Sequence, residues 1–226
     1  MNSFIAEHIC CILSRSVVKA FTVTAGTSIM RLGELVEMRT GYPFRKRIPF
    51  VEKDGCRLVQ MGDVSATKGP IWDSGLARVE APGDWQKHVL HCGDLLFVAR
   101  GVRNETATFG GEAADVIAAP HLFVMRCNGR SVSAEYLGWY LNLPETRELI
   151  KKVRGGSAVP FVPMAALAGL EVPVPSMEMQ NTIVCIDRLK LRELELLEEI
   201  RGRRRVLVDG LMLGAVRRQT ELRVAG

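Results

Sequence analysis

Cationic and amide side chains cluster at a few places in this 226-residue chain. Arg45, Lys46 and Arg47 are adjacent and follow the turn-forming run Gly41-Tyr42-Pro43-Phe44. Neighbouring cations repel one another unless they are solvated or face an anion, so this loop is either a solvated surface or a phosphate contact. Arg100 and Arg103 lie on either side of Gly101, with Asn104 and Thr106 close behind. Arginine pairs bidentately with guanine edges and asparagine with adenine edges, which makes this loop the candidate for reading bases. The competing reading is an ordinary polar surface loop. Lys151, Lys152 and Arg154 precede Gly155-Gly156-Ser157. Cations suit the C-terminus of a helix, and a glycine pair lets backbone approach a phosphate closely, so this segment also has two readings. Gln60 carries an amide suited to adenine, but it sits in a strand-like run where a structural role is the natural one.

Motifs of catalysis are missing from the sequence. It has no G-x-x-x-x-G-K-[ST] and no G-x-G-x-x-G phosphate cradle, no G-x-S-x-G elbow, and no Asn/Asp-Pro-Pro-Tyr/Phe motif of amino-methyltransferases. His88, His91 and Cys92 make an H-x-x-H-C run, but no second ligand pair follows at finger spacing, so no metal site is expected. No catalytic residue is assigned.

The elements that must position these residues fall into three segments. Residues 1–28 carry Phe4, Ile5, Ile9, Ile12, Leu13, Val17 and Val18 partly at helical spacing, which suggests a short helical extension. Residues 29–175 are punctuated by glycine and proline and hold strand-like runs at 57–61, 94–99 and 121–126, with Gly62-Asp63 and Gly93-Asp94 as turn pairs. Ala134–Val153 has helical spacing, and Pro144 splits it into two helices. Strands and helices do not alternate with βαβ regularity, so the expected class is α+β.

Residues 176–219 read as one long spacer helix followed by a tail at 220–226. Ser176 is a suitable N-cap and Glu178 an acid in the first turn. Ile183, Ile186, Leu197, Ile200, Leu207 and Leu211 fall on one stripe, interrupted by Lys190, Glu193 and Arg204, which describes an imperfect coiled-coil seam. About 43 residues make a rod of roughly 65 Å. Gly202, Gly210 and Gly214 are expected to loosen or break its second half. A small domain cannot bury such a rod, so part of it must meet another chain or another copy. Arg203-Arg204-Arg205, with Glu198 and Glu199 nearby, fits that partner interface better than a DNA contact.

The formal charge of +5 favours a polyanionic partner only mildly. Cys10, Cys11, Cys56, Cys92, Cys127 and Cys185 form no C-x-x-C pair and sit mostly in apolar stretches, as in a reducing compartment. No run approaches the roughly 18 apolar residues of a membrane span, and Glu7 and His8 interrupt the N-terminal apolar patches. A cytoplasmic protein with no membrane partner is expected.

Several motifs taken in order resemble the specificity subunits of type I restriction–modification enzymes. They are Met30-Arg31-Leu32-Gly33-Glu34-Leu35-Val36 with Gly41-Tyr42-Pro43-Phe44, then Leu58-Val59-Gln60-Met61-Gly62-Asp63-Val64, then Gly93-Asp94-Leu95-Leu96-Phe97-Val98-Ala99-Arg100-Gly101. Gly155-Gly156-Ser157, Pro163, Leu167 and Leu170-Glu171-Val172-Pro173-Val174-Pro175 then lead to Gln180 and the long helix. The likeness covers residues 30–213. It implies a target-recognition domain that docks on double-stranded DNA, a helix that sets the distance to a second half-site, and methyltransferase subunits bound around the helices. It also implies that Arg45, Lys46 and Arg47 contact the DNA backbone. S-adenosylmethionine would belong to the methyltransferase and ATP to a motor-nuclease subunit, so this chain is expected to bind no cofactor. Members of the family carry two recognition domains and two spacers; this sequence has one of each, so it is expected to form a homodimer or to pair with a second half-subunit. The competing classes are a scaffold or antirestriction decoy occupying the methyltransferase subunits, and a stand-alone nuclease. The positive charge argues against the decoy, and the lack of an acidic metal cluster argues against the nuclease.

Overall fold

Leu95-Leu96-Phe97-Val98 is apolar at four successive positions, the pattern of a strand covered on both faces, and all four side chains are buried. The computed structural model describes residues 27–44, 49–81, 83–129, 131–156 and 159–224, with side chains through Gly214. The central sheet is antiparallel, in the order β2 (Val36–Thr40), β8 (Leu122–Cys127), β5 (Leu95–Val98), β6 (Thr106–Thr108). A second sheet runs β4 (Ala77–Val79), β3 (Cys56–Val59), β7 (Val116–Ala118), with β3 and β7 parallel. Leu96, Val98, Leu122 and Val124 pack from the central sheet toward Val59, Val116 and Ala118 of the second. Leu95, Phe97, Phe123 and Met125 face the opposite way, onto helices.

Those helices are α1 (Leu32–Leu35), α2 (Ala134–Asn142), α3 (Pro144–Lys152) and α4 (Met164–Ala168). Ser133 caps α2 by accepting the Tyr136 N–H at 3.1 Å. Pro144 occupies the first turn of α3, where its missing N–H costs nothing, and so it divides the helical run. Buried Tyr136 donates its hydroxyl to the Pro173 carbonyl at 2.7 Å. Burial raises the pKa of its phenol, which keeps it a donor.

The two ends of the domain meet. β1 (Ser28–Arg31) pairs antiparallel with β9 (Glu171–Val174), Ser28 opposite Val174. Ser28, the last residue of the segment read as an extension, is thus part of β1, and the helix expected over the rest of that segment lies outside the described residues. Helix α5 (Met177–Val224) starts directly after this ribbon, and Ser176 Oγ accepts the Met179 N–H at 3.4 Å. It is 48 residues long, about 72 Å at 1.5 Å per residue. Two expectations are corrected here. Gly202, Gly210 and Gly214 do not break the helix, because a lone glycine costs only about 1 kcal/mol in a helix this long. Nor do residues 220–224 form a separate tail, since the helix continues through them.

Only the root of α5 belongs to the domain core. Gln180, Ile183 and Val184 are buried, whereas every residue from Arg192 to Leu213 is exposed.

Candidate nucleic-acid interface

Strand direction decides which loops meet. The C-terminal ends of β2, β3, β5 and β7 and the N-terminal end of β8 all lie at one end of the two sheets, as the registers Thr40↔Phe123, Val98↔Leu122 and Val59↔Ala118 require. The short connection from Ala118 to Leu122 is their hub. Leu122 O accepts from Gly41 N, Ala118 O from Tyr42 N, and His121 O from Ala99 N, at 2.8, 2.8 and 3.0 Å; Ala119 N donates to Val59 O at 2.9 Å. Gly41 is needed for this closeness, because a Cβ there would sit 2.0 Å from Ala119 O.

Gly155, Gly156 and residues 159–161 join the same rim. Gly101 N donates to Pro160 O and Val162 N to Ala99 O, both at 2.8 Å, and Arg100 and Phe161 form an antiparallel bridge. The Phe161 ring lies against Gly155, where a Cβ would come within 3.1 Å of it. Gly156 has φ +85 and no room for a side chain, with Val159 O 2.6 Å from the Cβ position. Residues 41–44, 60–63, 99–105, 119–121, 155–156 and 159–161 thus lie along one edge.

Arg100 and Arg103 are exposed on this edge, as are Val102, Val159 and Phe161. Gln60 is half-buried just past the end of β3, its N–H bonded to Asp63 Oδ2 at 2.7 Å in the Gly62-Asp63 turn. Lys151 and Lys152 are exposed at the end of α3, and Lys151 is ion-paired with Glu148. Arg45, Lys46, Arg47 and Ser157 lie outside the described residues.

Three candidates have structural roles instead. Asn104 is fully buried, and its Nδ2 donates to Val98 O at 2.9 Å. Thr106 is also buried; both its backbone groups are held by Asn142, at 2.9 and 2.8 Å. Neither side chain can reach a base edge from there. Arg154 is half-buried and donates through Nη2 to Val102 O at 2.8 Å, so its guanidinium is committed to the loop.

The structure adds residues that the spacing did not suggest. Arg147 of α3 donates to the Arg103 carbonyl and lies 3.7 Å from Glu105. His121 sits half-buried beside Arg100, and burial first, then that cation, lowers its pKa. A neutral imidazole there presents one donor and one acceptor. His121 follows the turn-forming Pro120, which was a usable signal; Arg147, one cation in a polar helix, carried none. His88 of the H-x-x-H-C run packs edge-on against Tyr42, with ring centroids 5.0 Å apart. Among the described residues, no three His, Cys, Asp or Glu side chains converge as a metal-ligand group.

The spacer seam is corrected at one position. Ile183 packs into the domain core, whereas Ile186, Leu197, Ile200, Leu207 and Leu211 are all more than half exposed. No helix among the described residues is long and apolar enough to cross a membrane.

No protein-family model matches the chain, and no curated protein matches it. Solved structures do. A chain from work on complex assembly and conformational transition of the type I R-M system has 18% identity and a TM-score of 0.59, over 85% of this chain and 46% of that one. The HsdS subunit from Thermoanaerobacter tengcongensis has 20% identity and a TM-score of 0.53, over 76% of this chain and 39% of its own. This chain spans less than half the length of either. Its mixed sheet domain and long C-terminal helix have the fold of a type I specificity subunit, in line with the motif resemblance.

Proposed function

We propose that this chain is the sequence-reading, non-catalytic module of a type I restriction–modification system. Its rim docks on double-stranded DNA, and its helix holds the methyltransferase subunits, and a motor-nuclease subunit where one exists. The observation that carries this reading is the joining of the chain after β2, β3 and β5 at the Ala118–Leu122 hub, with Arg100 and Arg103 both exposed on the loop that follows β5. Guanidinium groups are the commonest specific readers of guanine in the major groove. Lys152, with Arg45, Lys46 and Arg47, supplies the sequence-independent phosphate term.

The exposed stripe at Ile186, Leu197, Ile200, Leu207 and Leu211 is the proposed assembly surface. Two copies joined antiparallel through it would read two half-sites related by a two-fold axis, so the target would be an interrupted palindrome.

The test is selection of the purified chain, with and without its methyltransferase partner, against duplexes with a randomised core. Enrichment of a short motif is expected, with no methylation or cleavage by the chain alone. Binding that never rises above bulk DNA in either condition would overturn the reading.

A further inference from the structure

The loop from Arg100 to Thr106 is energetically costly. Asn104 is buried with φ +40, a left-handed value that side chains other than glycine adopt at a cost. Among the described residues, five buried side-chain polar atoms have no protein partner, and three belong here: Asn104 Oδ1, Thr106 Oγ1 and Arg154 Nε. Such atoms are rare in native structures, so their gathering at this loop calls for a local explanation.

That explanation is the α2–α3 hairpin. Asn142, at the end of α2, holds the N–H and carbonyl of Thr106. Arg147, in α3, holds the carbonyl of Arg103, and Arg154, just past α3, holds that of Val102. Bonds from guanidinium to carbonyl are charge-assisted and stronger than neutral ones. They also occupy carbonyls that would otherwise let the loop tip flex, and the two readers Arg100 and Arg103 are on that tip.

We propose that Arg147 and Arg154 are positioning residues that preset the 100–106 loop for base reading, so that they govern sequence discrimination without touching DNA. This rests on the reading given under Proposed function. Preorganised side chains lose less freedom on binding, and that gain appears only where geometry must match, which is at base edges and not along the phosphate chain.

The experiment compares the wild-type chain, Arg154→Ala, the double variant Arg147→Ala/Arg154→Ala, and Arg154→Lys. Each is assayed for motif selection, for salt-dependent binding to one fixed duplex lacking the motif, and for amide hydrogen exchange across 100–106. In the double variant, preference for the wild-type motif should fall at least about tenfold, while binding to the fixed duplex and its salt slope stay the same. Arg154→Lys, which can still reach one carbonyl, should keep most of the preference. Equal loss on both duplexes would make these arginines phosphate contacts and overturn the proposal. Unchanged preference would overturn it as well. If the double variant does not fold, Arg154→Ala alone carries the test, with loop amides expected to exchange faster than in wild type and unchanged rates counting against the clamp. If the wild-type chain selects no motif, it is the reading under Proposed function that fails, and the exchange rates still report on the clamp separately.

Discussion

Gln180 Oε1 accepts the backbone N–H of Ser133 at 2.9 Å, across 47 residues of chain. Its Nε2 donates to Ser131 O and Pro175 O at 2.8 and 2.9 Å. One buried amide therefore ties the first turn of the spacer helix to the N-cap of α2 and to the end of the β1–β9 ribbon. Gln180→Ala would leave one N–H and two carbonyls unpaired at a buried site. The expected cost is about 2–3 kcal/mol in urea unfolding. Because the same amide orients the rod, small-angle scattering of the folded variant should also show a broader range of helix angles. A loss under about half a kcal/mol would mean that packing of Ile183 and Val184 alone holds the root.

Arg100 and Arg103 should separate specific from general binding. Alanine at either position is expected to cost about 1–3 kcal/mol on the selected motif and little on unrelated duplex. Methylome sequencing of the assembled complex would show the motif relaxed at one position. An unaltered motif in both variants would shift base reading to Gln60 or to the loop around Ser157.

Charge placed on the spacer stripe should block assembly. Leu197 and Ile200 are 52% and 61% exposed in the single chain, on a stretch of α5 in which every residue from Arg192 to Leu213 is exposed. Leu197→Glu with Ile200→Glu would force unpaired carboxylates into any helix–helix seam formed there. Light scattering should find the wild type associated and the double variant monomeric, with an unchanged melting temperature of the recognition domain. A wild type that stays monomeric at micromolar concentration with methyltransferase present would rule out symmetric pairing.

Acid should destabilise the domain through its histidines. Burial, then Arg39 and Lys87, lowers the pKa of His88, and burial, then Arg100, lowers that of His121, both from an ordinary 6.5. The unfolded chain therefore takes up protons first as pH falls, and protons bound only by the unfolded state weaken the fold. This contribution is complete above the ordinary value and is lost as pH falls from there through the lowered folded values. The urea midpoint should drop between about pH 7.5 and pH 5.5, and His121→Gln should flatten part of that drop. Identical profiles for wild type and variant would assign the effect elsewhere.

Much of the fold was legible because local patterns encode local geometry. The apolar run within 94–99 announced the strand at Leu95–Val98. Pro144 announced the break between two helices, and Ser176 the start of the rod. The exposed stripe from Ile186 to Leu211 followed from spacing along one helix, since residues three and four apart share a face whatever surrounds them. Spacing could not reveal contacts between elements. Ile183 has the same periodicity as its neighbours on the stripe, yet it is buried, because only the domain's position beside the helix root decides where the stripe becomes free. Asn104 looked like a reader and turned inward, since its neighbours across the fold, not its own sequence, determine which way the loop faces. The bond from Arg154 to Val102 spans 52 residues, and the hub at 118–122 joins the ends of β2, β3 and β5. Pairings of that range depend on the register and packing of whole sheets. They arise cooperatively, and no single window of sequence contains them.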